Sequence, residues 1–189
     1  KLSDTVFVEK SDEDQFLVPR SVLTFNNGGL SLSGKYSVSD GLAMHSAFEL
    51  IDVADILDFF RFRQQFSGIT SGSAEISGPL SDPIIDADFT LKNGMTLGYP
   101  SDSASINLHL TKFATVSNEI NAYSAGGTLK LYGSLPWGYK VRGEQIRTTP
   151  QNFSIIADNY LLSDLKFTSI AGIPISGRAT GSFSIRGTP

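Results

Sequence analysis

The feature that most constrains this chain is an alternation of apolar and polar residues with a period of two. Residues 85–92, 104–111 and 173–186 all show it. Successive side chains of a β-strand point to opposite faces of a sheet, so each stretch predicts a strand with one apolar face and one polar face. Such strands are typical of antiparallel sheets, because doubly covered parallel strands are apolar on both faces. We therefore predict an all-β chain.

A second pattern recurs along the sequence. Gly, a small residue, two variable positions, Ile or Leu, one variable position and Gly occur in this order at 28–34, 72–78, 127–133 and 181–187. The intervals between copies, 44 to 55 residues, are longer and less constant than the coils of a β-solenoid adhesin. We interpret residues 1–189 as a single piece of a longer repeat array, with approximate repeats at 28–71, 72–126, 127–180 and a truncated 181–189.

One segment departs from the alternation. Apolar residues at positions 53, 56, 57 and 60 have the spacing of one helix face, and Asp52 precedes them as a suitable N-cap. We predict one short helix near 53–65. Its apolar side would cover one end of the sheet, either as a plug or as ordinary core packing.

Composition excludes several classes of function. The net charge is −4 and the 15 Lys and Arg residues are scattered singly, so nucleic acid is not an expected partner. The absence of cysteine excludes a disulfide framework and a thiolate metal site. No apolar run reaches the roughly 20 residues of a membrane helix, and no signal-peptide pattern opens the chain.

No catalytic centre is predicted. His45 and His109, the two histidines, lack the neighbours that would suggest a metal site or a triad. Asp86 and Asp88 share the polar side of one strand, and a solvated surface explains them better than an acid–base pair. The glycines lie within and between strands, so no helix-opening nucleotide loop is present. We predict no enzyme, no catalytic residue, no metal and no cofactor.

The order of elements between 68 and 133 resembles the TamB family of AsmA-like proteins, which are bridge-like lipid-transfer proteins of the bacterial envelope. The resemblance is carried by a Gly-bounded strand at 68–78, an Asp-Pro-Ile strand ending in an Asn-Gly turn at 82–94, and a Gly-Gly-Thr-Leu strand at 125–133. It implies an elongated, curled, antiparallel-rich β-sheet with a taco-like hydrophobic groove. It also implies the periplasmic part of an inner-membrane-anchored envelope protein that moves phospholipid toward the outer membrane.

The apolar positions of the alternating runs are the candidate groove lining, with phospholipid acyl chains as the expected partner. An uncovered apolar sheet face must curl on itself or hold a ligand, and two walls packed together as a sandwich are the alternative. The expected lining residues are Leu30, Leu32, Ile85, Ala87, Phe89, Leu91, Ile106, Leu108, Leu110, Leu129, Leu131, Phe153, Ile155, Leu165, Phe167, Ile173, Ile175, Phe183 and Ile185.

A scaffold or chaperone is the alternative function. A cut repeat array leaves unpaired sheet edges, and such an edge can pair with a client strand. The family resemblance implies that this activity would assist assembly of outer-membrane β-barrel proteins, with a barrel partner of the Omp85 type.

Overall fold

The computed structural model describes residues 6–12, 14–25, 27–55, 66–96, 99–112, 114–135, 150–162, 169–170, 173–174 and 176–188. Its regular elements are almost all strands. They are β1 Glu9–Asp12, β2 Gln15–Thr24, β3 Gly29–Ser37, β4 Gly41–Asp52, β5 Phe66–Gly78, β6 Ile84–Thr96, β7 Tyr99–Leu110, β8 Thr115–Ser124, β9 Gly127–Leu135, β10 Gln151–Leu161, β11 Ser169–Ile170, β12 Ile173–Pro174 and β13 Arg178–Gly187.

Eleven strands form one antiparallel sheet. Strands β1 to β10 lie in chain order and β13 follows β10, while β11 and β12 pair separately. Most connections in the main sheet are short, and a short connection reverses the chain into an antiparallel neighbour. Within the described residues the edge strands β1 and β13 do not pair with each other, so the sheet is open and not a closed barrel. The all-β, antiparallel architecture predicted from the alternation is confirmed.

The stretch 173–186 is not one strand. It is divided between β12, in the small sheet, and β13, in the main sheet. Gly177 lies between them with a φ of 115°, which is outside the extended region that strands occupy. The prediction of a single alternating strand over these residues was therefore wrong.

The predicted helix begins where expected. Residues 53–55 are helical, and Asp52 Oδ1 accepts a hydrogen bond from the Ala54 N–H at 2.9 Å. This is the geometry of an N-cap, which satisfies one of the free amides of the first turn. The remaining predicted span, 56–65, lies outside the described residues, and its covering role stays a prediction.

Strands β4 and β10 are bent by bulges of the same construction. Each contains an extra residue in the left-handed region, Leu50 with a φ of 53° and Asn159 with a φ of 50°. The N–H of Leu50 donates to Ser71 Oγ and that of Asn159 to Thr180 Oγ1, both at 2.9 Å. A bulge increases local twist, so these positions curve the sheet.

The two bulges reveal a structural repeat. Leu50 and Ser71 each precede their counterparts Asn159 and Thr180 by 109 residues (from 50 to 159 and from 71 to 180). The four glycine motifs lie on β3, β5, β9 and β13, so β3 and β5 flank the bulged β4, and β9 and β13 flank the bulged β10. Two copies of the motif thus belong to one three-strand unit. The repeat boundaries drawn from the sequence stay predictions.

The described strands form a single main sheet, and we call the end that contains its buried apolar side chains the sealed end. The accessible surface of the whole chain is 12121 Å², whereas a compact monomer of this mass has about 8,800 Å². Among the described residues, the apolar side chains that are buried are Ile51, Leu91, Ala104 and Tyr160. All four lie toward the end of the sheet from which the helical residues 53–55 leave.

We expect Gly72→Ala to destabilise the protein and Gly181→Ala to be nearly neutral. A Cβ at Gly72 would collide with the Asp88 carbonyl oxygen and Phe89 Cβ, whereas a Cβ at Gly181 meets nothing within 4 Å. Overpacking of this kind costs about 1–3 kcal/mol, and an unobstructed surface change stays within about 0.5 kcal/mol. Chemical denaturation of both variants measures the difference. Equal losses at the two glycines would contradict the assigned packing.

Candidate functional site

Cross-strand pairing aligns one residue from each of ten strands into a row that we call the central row. Consecutive members are Cα partners, and paired residues of antiparallel strands lie on the same face. Gly72 is its one member without an apolar side chain. From β2 to β13 the row is Leu23, Leu30, Phe48, Gly72, Phe89, Ile106, Ile120, Leu131, Ile155 and Phe183.

The structure places fifteen of the nineteen predicted lining residues on the face of the central row. Leu165, Phe167 and Ile175 lie outside the described residues, and Ile173 is paired with Ile170 in the small sheet. Six of the fifteen belong to the central row itself. The other nine, in the adjoining rows, are Leu32, Ile85, Ala87, Leu91, Leu108, Leu110, Leu129, Phe153 and Ile185.

Besides Gly72, sequence reasoning missed three members of the central row. Leu23, Phe48 and Ile120 lie on β2, β4 and β8, and each of these strands carries a register shift. An extra residue interrupts the strict period of two, so the apolar positions on either side of it fall out of phase. A search that allowed one inserted residue per strand would have found them.

Gly72 allows two aromatic rings of the central row to meet. Phe48 on β4 and Phe89 on β6 are separated by β5, and backbones two strands apart lie about 9.6 Å from each other. Their ring centroids are nevertheless 6.2 Å apart, with the planes tilted by 56°. The rings lean toward each other over the glycine, in an arrangement that is favourable for aromatic pairs.

Burial varies along the apolar face, which carries both buried and exposed side chains. Leu91 and Ala104 in the adjoining row near the sealed end are 8% exposed, whereas Phe183 is 59% and Ile185 36% exposed. Most of the central row is half-buried, and Phe183 at its β13 end is exposed. The described sheet is not closed, so the apolar face is accessible at least at β13. An extended exposed apolar surface is characteristic of a binding site.

The opposite face carries ion pairs and hydrogen bonds between neighbouring strands. His45, Glu75, Asp86 and His109 are consecutive partners across β4 to β7. His109 Nδ1 lies 2.6 Å from Asp86 Oδ1, and His45 Nδ1 lies 3.7 Å from Glu75 Oε1. Each of the two carboxylates thus lies beside a histidine of a neighbouring strand. In the described ranges, no three His, Asp or Glu side chains converge to form a metal site.

Glu119 on β8 is the charged group with the best-defined environment on this polar face. Its Oε1 accepts a hydrogen bond from Asn121 Nδ2 at 2.6 Å, and its Oε2 lies 2.9 Å from Lys130 Nζ on β9. Both contacts favour the ionised carboxylate. The Asn121 hydrogen bond first, and then Lys130, hold the pKa of Glu119 below its usual value.

Comparison with known proteins gave no match to a family model, a curated protein or a solved structure. None of the helical residues in the described ranges belongs to a helix of the length and apolarity needed to cross a membrane. The geometry of the two faces is therefore the basis for a proposed function.

We expect Asn121→Ala to raise the pKa of Glu119 toward its ordinary value. Because the folded-state pKa is lowered, the ionised carboxylate stabilises the fold above the unfolded pKa, and this contribution disappears as the pH falls through the folded pKa. NMR titration of the Glu119 carboxyl carbon measures the shift. Asn152→Ala, on the polar side of β10, is the matched control, and equal midpoints in the two variants would disprove the assignment.

Charges on the apolar face test whether it is open. Phe183→Arg should lower the free energy of unfolding by less than about 1 kcal/mol, because the side chain is already exposed to solvent. Ala104→Arg, at the sealed end, buries an unpaired charge and should cost several kcal/mol. Ser182→Arg on the polar face is the control for Phe183→Arg. Thermal melts of all three decide the matter, and unfolding of Phe183→Arg would show a packed face.

Proposed function

We propose that this sheet is a segment of a hydrophobic conduit along which phospholipid acyl chains move between the inner and outer membranes. The observation that supports it best is the central row, which continues across ten strands without a polar side chain. Nine strand spacings give a row of about 43 Å. One leaflet of a bilayer has an apolar thickness of about 15 Å, so the row exceeds one acyl chain and forms a path.

The energetics of such a path require no chemical step. Burial of one methylene group contributes about 0.8 kcal/mol, so an acyl chain lying on the row recovers on the order of 10 kcal/mol relative to water. This is close to what the chain loses on leaving a bilayer. A lipid can then slide from one strand to the next, because nine of the ten strands present an apolar side chain at the same level and the tenth presents Gly72.

Sequence resemblance supports the same assignment. The strands at 68–78, 82–94 and 125–133, whose order resembles the TamB family, are β5, β6 and β9 with their turns, and all contribute to the central row. On this proposal the chain is the periplasmic part of an inner-membrane-anchored envelope protein.

We expect purified protein to carry phospholipid and to take up a fluorescent fatty acid. Leu131→Arg places a charge in the middle of the central row and should reduce uptake by roughly tenfold or more, since an acyl chain can no longer cross β9 without contacting it. Tyr132→Arg, the next residue on the polar face, should leave uptake unchanged. Mass spectrometry of organic extracts and fluorescence titration are the measurements. Protein free of lipid that also takes up no fatty acid would refute the conduit.

A second candidate function uses the edge of the sheet. Strand β13 is ten residues long, and almost all of its residues are exposed. An edge of this length can pair with a client strand, as a scaffold for outer-membrane β-barrel proteins with an Omp85-type partner would require. This activity and lipid conduction use different surfaces, so one does not exclude the other.

A further inference from the structure

The two edges of the main sheet differ in how well they are protected. Edge strand β1 has four residues, includes Glu9, Lys10 and Asp12, and has an irregular register with β2. Short length, charge and irregularity are the usual means of blocking edge pairing. Edge strand β13 is longer, and in the described part of the chain it has a neighbour on one side only. It is the edge that remains open to a further strand.

Strand β13 is the structural counterpart of β5. Thr180 of β13 accepts the bulge hydrogen bond of β10, as Ser71 of β5 accepts that of β4. The final glycines of the two motifs, Gly78 and Gly187, also share a positive φ, at 89° and 111°. On its other side, however, β5 pairs with β6 over its whole length, while the corresponding side of β13 has no partner within the described residues.

The surroundings of Gly72 on β5 and of Gly181 on β13 show which side chain a second neighbour of β13 would contribute. On β5, Gly72 is opposite Phe89 of β6, and a Cβ at Gly72 would collide with Phe89. The equivalent Gly181 on β13 has nothing within 4 Å of its would-be Cβ. Gly72 thus makes room for an aromatic side chain of the neighbouring strand. Gly181 offers the same room at the edge of the sheet, and no described atom fills it.

We infer that the free edge of β13 is a docking site for an extended peptide with the side-chain pattern of β6. We place the peptide beside β13 in the register that β6 has with β5. An aromatic residue of the peptide then lies opposite Gly181, as Phe89 lies opposite Gly72. A small residue of the peptide lies opposite Phe183, as Ala87 lies opposite Ala74. The bulky and small positions of the two strands are then complementary, and every second side chain of the peptide extends the apolar face.

Charge also favours an acidic strand at this edge. On β5, Glu75 is directly opposite Asp86 of β6, and like charges at such positions repel each other. The counterpart of Glu75 on β13 is Ser184, and the next polar-face residue is Arg186. An acidic residue of the peptide therefore meets a hydroxyl and a neighbouring cation in place of a carboxylate. The preferred occupant is an acidic amphipathic strand. This inference rests on the edge-pairing function proposed above and does not depend on lipid conduction.

The test uses a synthetic peptide with the sequence of residues 82–94, titrated against the whole chain. We expect saturable binding, and no saturable binding of a peptide of the same composition whose apolar and polar residues do not alternate. Two further peptides carry N-methyl groups on alternate amides, one on even and one on odd positions. Alternate amides of a strand point to opposite edges, so one of these peptides should lose binding and the other should retain it.

Protein variants locate the site. Gly181→Val fills the space for the aromatic residue and should weaken binding of the peptide roughly tenfold or more. A Cβ at Gly181 meets nothing within 4 Å in the free protein, so we expect little change in stability. Ser182→Val, on the polar face of the same strand, should bind the peptide like the unmodified chain.

Three results would overturn the inference. Equal binding of both N-methylated peptides would place the peptide on the apolar face and not at the edge. Equal binding of the non-alternating peptide would remove the proposed side-chain selectivity. Unchanged affinity in Gly181→Val would exclude β13 as the docking strand.

Discussion

In-register pairing of antiparallel strands is the constraint on which the rest of this structure depends. A residue of one strand lies beside its partner on the next and on the same face. When ten neighbouring strands each place an apolar residue or glycine at the same level, local alternation becomes a continuous surface, and the central row from Leu23 to Phe183 is that surface. A slip of one residue in any strand would turn its apolar side chains to the opposite face and interrupt the path.

The bulges of β4 and β10 bend the sheet while the pairing of neighbouring strands continues on both sides of each bulge. Each inserts one left-handed residue and then restores the phase, and a hydroxyl of the next strand satisfies the N–H of the inserted residue. Thr180 provides this hydroxyl for Asn159, although its place in the alternation indicates only a solvent-facing side chain. A change at Thr180 therefore affects the bend of β10 as well as the polar surface.

Openness connects the two proposed activities. A sheet that closed on itself would hide its apolar face and remove its edges, whereas the described sheet is not closed and Phe183 on its apolar face is 59% exposed. Lipid would use the face, where Phe183 is more exposed than residues near the sealed end. A strand would use the backbone of β13, where Gly181 leaves room for an aromatic side chain. The two ligands thus differ in whether they need hydrogen bonds or only apolar contact.

Much of this architecture could be predicted from the sequence, because side-chain direction in a strand follows from position alone. The alternation determined the all-β class and fifteen residues of one face, and Asp52 determined the start of the helix. The alternation could not locate the bulges that displace Phe48 and Ile120, nor the break at Gly177, because these depend on how neighbouring strands pair. Only the tertiary structure decided that the sheet is not closed and that β13 has one neighbour within the described residues, since closure and edge position depend on contacts between segments distant in sequence.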